Sequence, residues 1–202
     1  EDVCEKLRLK VPDKTKPRTV ALKIEGPVKT PAGAKVGRKP ENDSALGKLA
    51  QMESKTWRKE KAGCTAKSPD GSLAAVAGYI TDTDFHRSPP RLFGSRVHVV
   101  DIKAGRELNC FECSPVEKKT KAESSTKEVL DCMFVSSWRY MAAVTGNRVY
   151  LWDTESGQEA SSANLPNGAD SATLDFFRTD EGSFLVVKAG GETSAYRIVC
   201  EK

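Results

Sequence analysis

The stretch VYLWDTESGQE, Val149 to Glu159, decides how the rest of the chain is read. Its hydrophobic run up to Trp152 reads as a strand, and Asp153 to Gly157 reads as the turn that follows it. The segment SRVHVVDIKAGRE lays on NRVYLWDTESGQE with Arg96 on Arg148, Val97 on Val149, Asp101 on Asp153, Gly105 on Gly157 and Glu107 on Glu159, a constant offset of 52 residues. Upstream, SPDGSLAAVAG corresponds to SSWRYMAAVTG, pairing Leu73 with Met141, Ala75 with Ala143, Val76 with Val144 and Gly78 with Gly146. The offset there is 68, so the first copy holds 16 extra residues between its two strands. A third copy, RTDEGSFLVVKAGGETSAYRI, sets Gly182 on Gly71, Ser183 on Ser72 and Phe184 on Leu73, with Tyr196 on the strand position that follows.

A period of about 40 to 50 residues, built of short strands with a turn at the start and an Asp after the penultimate strand, is the pattern of propeller blades. The SPDG turn before a strand of small residues, and the strand closing in Trp152-Asp153 and continuing as xxxGxE, make residues 64–202 resemble WD-repeat β-propeller blades. The resemblance implies an all-β fold class: WD-repeat-like propeller blades at about 64–113, 129–165 and 172–202, partial or part of a larger propeller, with an N-terminal extended arm and one short helix. In it Asp70, Gly71, Asp101, Trp152, Asp153 and Gly157 are structural repeat residues. Ala74, Ala75 and Ala77 are small enough to let sheets approach, and an Asp can tie the turn by side-chain to backbone hydrogen bonds. The copies diverge: the first has Val100-Asp101 and the third Tyr196-Arg197, and the family's Gly-His pair is missing. Three blades are fewer than the four to eight or so of a closed ring. Either the chain is a piece of a larger propeller, or a partner completes it, or the N-terminal segment adds strands, with Thr19 to Ile24 (TVALKI) the candidate.

The first third has a different texture. Residues 1–62 hold 16 Lys and Arg against 9 Asp and Glu, whereas the remainder holds 16 against 19, so the net charge of +4 comes from the N-terminal part. Pro12, Pro17, Pro27, Pro31 and Pro40 interrupt residues 1–42, which reads as a basic, extended arm. Residues 43–63 read as an amphipathic helix and linker, capped by Asp43 or Ser44 and ended by Gly63, with an apolar stripe at Leu46, Leu49 and Trp57. Gly47 weakens that helix by about 1 kcal/mol relative to Ala. The opening EDVCEKL, without Met, fits a processed terminus or a piece of a longer chain.

Function is sought in what the blades carry. No run approaches the ~20 apolar residues that span a bilayer, and no signal-peptide pattern opens the chain, so no membrane insertion is expected. Six scattered cysteines in a chain of 202 residues point to reduced thiols in an intracellular reducing compartment. The GxSxG, GxGxxG and GxxxxGK patterns are missing, two histidines leave few general bases, and neither an enzyme nor a cofactor nor a small-molecule substrate is expected. The insertion Thr81 to Gly94 carries Phe85, His86, Arg87, Arg91 and Phe93. It reads either as a binding loop on a rigid scaffold or as a solvated insertion. His86 and His98 lie apart, and Cys110 and Cys113 form a CxxC without a second pair, so no metal is expected. Pro115 to Val129 is a charged connection that reads as solvated. The leading expectation is a protein-interaction scaffold subunit of a larger multi-protein assembly, with Leu46, Leu49 and Trp57 docking on a neighbour. The alternative is an RNA-associated subunit of a ribonucleoprotein particle, laying Lys14, Lys16, Arg18, Lys35, Arg38 and Lys39 of the arm on phosphates or on an acidic surface. The arm has no aromatic side chain for base stacking before Trp57.

Overall fold

A computed structural model of the chain describes residues 22–32, 43–53, 60–81, 92–113, 128–135 and 139–200, and these hold twelve strands and one helix. In chain order they are β1 (Leu22–Val28), α1 (Ser44–Glu53), β2 (Glu60–Lys67), β3 (Leu73–Thr81), β4 (Leu92–Asp101), β5 (Arg106–Glu112), β6 (Val129–Val135), β7 (Tyr140–Thr145), β8 (Arg148–Asp153), β9 (Gln158–Asn164), β10 (Ala172–Thr179), β11 (Gly182–Ala189) and β12 (Glu192–Cys200). They form three four-stranded antiparallel sheets: β2-β3-β4-β5, β6-β7-β8-β9 and β10-β11-β12-β1. Each sheet runs strand by strand through the sequence, as a propeller blade does, except that the last takes its fourth strand from the N-terminal segment.

The middle sheet explains the stacking. Every side chain of β7 is buried, and alternate ones leave by opposite faces. Met141 and Ala143 join Tyr150 and Trp152 against Ala75, Ala77, Val97, Val99 and Phe111 of the first sheet. Tyr140, Ala142 and Val144 join Val149 and Leu151 against Leu174, Leu185, Val187, Tyr196 and Ile198 of the third. Fully burying each large side chain contributes about 1.5–3 kcal/mol. The central contact is aromatic: Trp152 stacks between Phe111 across the interface, at 5.3 Å, and Tyr150 beside it, at 5.0 Å. Buried Asp131 of β6 ties the second sheet to the third, its carboxylate accepting the N–H of Leu174 at 2.8 Å and that of Cys132 at 2.9 Å.

The strand β1 is integral to this packing. Leu22 and Ile24 are buried in the core between the second and third sheets, and the Ile24 N–H donates to Ser161 Oγ of β9 at 3.0 Å. A strand expected at Thr19 to Ile24 is present at Leu22–Val28, with residues 19–21 outside the described residues, and it completes the third sheet. Residues 22–28, read as part of an extended arm, are therefore part of the blade, because their apolar side chains are needed in its core. Its register on β12 shifts between Glu25 and Val28, around Pro27, as an edge strand tolerates. Tyr196 on β12 donates its hydroxyl to the Asn164 carbonyl at 3.1 Å, and burial pushes its phenol up to about 12.

The turns repeat as well as the strands. Asp101 Oδ1 accepts the Ala104 N–H at 2.8 Å, and Asp153 Oδ1 accepts the N–H groups of Glu155 and Ser156 at 2.9 and 3.3 Å. Four residues on, the N–H of Gly105 and of Gly157 closes each turn on the Asp carbonyl, at φ of 66° and 72°. At the SPDG turn Asp70 accepts from Ser68, from the Ser72 hydroxyl and from the Ser72 N–H. These bonds, that of Ser68 foremost, hold its carboxyl below the usual range. Two bounds depart from the sequence reading, the end of the helix at Gly63 and the start of the first blade at Cys64. Gly63, read as the end of a helix, lies inside β2, because the first sheet begins at Glu60, where β2 pairs with the prolonged end of β3.

Two substitutions and one control test the interface. Trp152→Ala removes the aromatic centre of the contact between the first two sheets and is expected to cost about 3–5 kcal/mol in urea unfolding. Gly157→Ala sets a Cβ 3.0 Å from Asn109 Oδ1 at positive φ, whereas Gly190→Ala, at φ of 57°, meets open space. The first is expected to cost about 2 kcal/mol and the second about 1. Equal losses would contradict the placement of Asn109 against this turn.

Candidate functional site

The outer face of the first sheet, turned away from the second, carries the features that bear on function. Where a preceding sheet would pack, the helix α1 lies instead. Asp43 caps it: Oδ1 accepts the N–H of Ala45 at 2.9 Å and of Leu46 at 3.4 Å, chiefly the former holding the carboxyl below the usual range. The Asp43 N–H in turn donates to Thr65 Oγ1 of β2 at 2.8 Å, and Lys67 lies 3.6 Å from its carboxylate. Leu46 is buried against Ala74, Val76 and Val100, with Ile102 alongside. The expectation that Leu46 docks on a neighbour is thus corrected: the groove it fills belongs to its own chain, since the small side chains of β3 leave room for it. Leu49 lies within α1 with its side chain outside the described residues, and Trp57 lies outside them altogether.

The insertion between β3 and β4 is partly ordered as strand. The second sheet turns at Gly146-Asn147, just after its Val144–Val149 pair. The first continues past the corresponding point through Gly78–Arg96, Tyr79–Ser95, Ile80–Gly94 and Thr81–Leu92, with Glu60 to Ala62 of β2 paired alongside. Thr81 and Leu92 to Gly94, read as loop, are therefore strand, because the extra residues prolong the hairpin. Phe93 lies in β4 with its side chain outside the described set, and Phe85, His86, Arg87 and Arg91 lie outside the described residues. So do the arm residues Lys14, Lys16, Arg18, Lys35, Arg38 and Lys39.

One constellation escaped the sequence reading. His98 of β4 is fully buried on the α1 face, its Nδ1 2.6 Å from Glu107 Oε2 and its Nε2 4.0 Å from the sulfur of exposed Cys110. Glu107 and Cys110 are three residues apart, so on a regular strand they would point to opposite faces. Between Val99–Asn109 and Val100–Glu107 the β4–β5 register shifts by one residue, leaving Leu108 as the bulge. The bulge brings both side chains to the face of His98. The second sheet repeats it: Leu151 pairs with Ser161 and Trp152 with Glu159. At the matching positions stand Tyr150, Glu159 and Ser162, and there Tyr150 is packed into the interface with the first sheet. The 52-residue alignment contained this signal, since it sets His98 on Tyr150 and Cys110 on Ser162.

The donor atoms of His98, Glu107 and Cys110 lie within 4.8 Å of one another, the proximity a metal ion requires. The two ring nitrogens of His98 face different partners, Nδ1 the Glu107 carboxylate and Nε2 the Cys110 sulfur. The CxxC pair is likewise divided: Cys110 is exposed, while Cys113 is buried in the core between the first two sheets, where burial pushes its thiol up. Cys64, Cys110, Cys113 and Cys132 form no disulfide, and the Cys64 thiol lies 3.7 Å from the Cys132 sulfur. Among the described residues no helix is long and apolar enough to cross a membrane.

No protein-family model matches the chain, and no curated protein matches it. Among solved structures it is similar to the hydrazine synthase of Kuenenia stuttgartiensis, at 12% identity and a TM-score of 0.34, over 68% of this chain and 49% of that one. It is also similar to the Cps50 (Swd1) β-propeller domain of Myceliophteria thermophila, at 18% identity and a TM-score of 0.35, over 62% of this chain and 48% of that one. The chain spans about half the length of each. Likeness at this level carries no argument about activity, and the fold rests on the three sheets themselves.

Leu46→Ala is expected to lower unfolding stability by about 2–5 kcal/mol, as loss of a buried leucine does. An unchanged urea midpoint would contradict the seating of α1 on the first sheet.

Proposed function

We propose that the chain is a non-enzymatic interaction scaffold of a larger protein assembly, in which the stacked sheets hold the β3–β4 insertion out toward a protein partner. The prolonged hairpin carries this reading. Past the point where the second sheet turns, the first continues for four further residue pairs. A ribbon anchored in a buried sheet is a rigid base for what it carries, which lowers the ordering cost of binding. The tip, residues 82–91, brings Phe85 as an apolar anchor together with His86, Arg87 and Arg91, the mixture that interface centres favour. The basic residues on either side of β1, within 1–21 and 33–42 of the sequence, are read as a second tether, to an acidic protein surface.

The test is purification of the tagged chain from its native cells, with residues 82–91 intact or replaced by a Gly-Ser linker of the same length. Protein partners retained in high salt, and lost on loop replacement, are the expected result. Recovery of RNA that elutes steeply with rising salt, and is indifferent to the loop, would overturn the proposal in favour of nucleic-acid association through the arm.

A further inference from the structure

We infer that His98, Glu107 and Cys110 form a thiol-activation site, which makes Cys110 a nucleophile toward small electrophiles such as hydrogen peroxide. The Glu107 carboxylate, 2.6 Å from Nδ1, accepts the proton on that nitrogen, and this leaves Nε2 as the basic nitrogen of the neutral ring. Nε2 faces Cys110 Sγ at 4.0 Å, at the outer limit for a hydrogen bond to sulfur and a looser distance than a closed nucleophile–base pair adopts. The imidazole is fully buried with its Nδ1 on the carboxylate, while the sulfur it addresses, on the residue paired with His98 across β4 and β5, is exposed. Nucleophile, base and orienting acid are thus gathered within 4.8 Å of one another, the set of groups from which an activated nucleophile is built.

The repeat supplies an internal comparison. The second sheet has the same bulge at the same register but carries Tyr150 for His98 and Ser162 for Cys110, keeping Glu159. There the ring is consumed by stacking on Trp152. On the first sheet the corresponding face meets α1, and the polar trio stands beside the helix. The bulge is therefore part of the scaffold, and the thiol chemistry is particular to the first sheet.

The step balances without a further reactant. The Cys110 proton passes to His98 Nε2, and the sulfur attacks one peroxide oxygen, forming an S–O bond as the O–O bond breaks. The imidazolium returns its proton to the departing hydroxide as water, leaving a sulfenic acid. Sulfur is oxidised by two electrons and peroxide reduced by two. His98 is the base that touches the thiol, and Glu107 is a positioning residue acting through it.

The experiment treats the full-length chain with hydrogen peroxide at neutral pH and traps sulfenic acid with dimedone, reading each cysteine by peptide mass spectrometry. Cys110 is expected to be labelled before Cys64, Cys113 and Cys132. His98→Gln should slow its labelling by about a hundredfold and Glu107→Gln by about tenfold, with Glu107→Asp restoring part of the rate. His98→Gln sits at a buried position, so Glu107→Gln provides the decisive variant, with its melting temperature measured alongside. A structural defect would instead lower that temperature and open Cys113 and Cys132 to the reagent. Labelling of Cys110 at an unchanged rate in folded Glu107→Gln would overturn the inference. One zinc per chain in the purified protein, lost in Cys110→Ser, would also overturn it, in favour of a metal site.

Discussion

A sheet that is apolar on both faces must be covered twice, and the middle sheet of this chain imposes that constraint on everything around it. β7 sends Met141 and Ala143 one way and Tyr140, Ala142 and Val144 the other, and all are buried. The first sheet covers one side through Phe111 and the valines of β4. The third covers the other, and it reaches four strands because β1 joins it. Sheets stack closely where small residues leave room, and alanines recur along β3 and β7 for that reason. The outer face of the first sheet meets the same demand with α1, whose Leu46 seats on Ala74, Val76 and Val100.

This logic separates what could be read in the sequence from what could not. Alternation along AAVAG and MAAVT, and the Asp-to-Gly spacing of 101–105 and 153–157, are local, so the strands and their turns were legible. The Asp side chains make the turn bonds that their position implies. The completion of the third sheet was half legible: TVALKI announced a strand, but its partner lies some 170 residues away in sequence, and only the paired register shows it. Gly63 misled because glycine after a helical pattern reads as a cap, whereas here it serves a strand. Leu46, Leu49 and Trp57 formed a stripe without an address, and the sequence held no means of telling an internal groove from an external one. The polar trio was hidden for a geometric reason: a one-residue bulge inverts the alternation on which face assignments depend.

The same positions serve different ends in successive sheets. At the bulge of the second sheet Tyr150 helps to build the core, and at that of the first His98 faces a carboxylate and an exposed thiol. Divergence between copies is thus informative: the positions that keep the repeat, such as Asp101 and Asp153, hold turns together. Those that break it, such as Cys110 and the residues between β3 and β4, are where chemistry and recognition are sought.

The stack depends most on β1, without which the third sheet and the core beneath it are open along one edge. Amide hydrogen exchange read strand by strand tests this directly. Protection across Leu22–Val28 that matches β12 and is lost together with it on unfolding is the predicted result. Exchange of β1 at the rate of an unstructured peptide, while β10 to β12 remain protected, would contradict it.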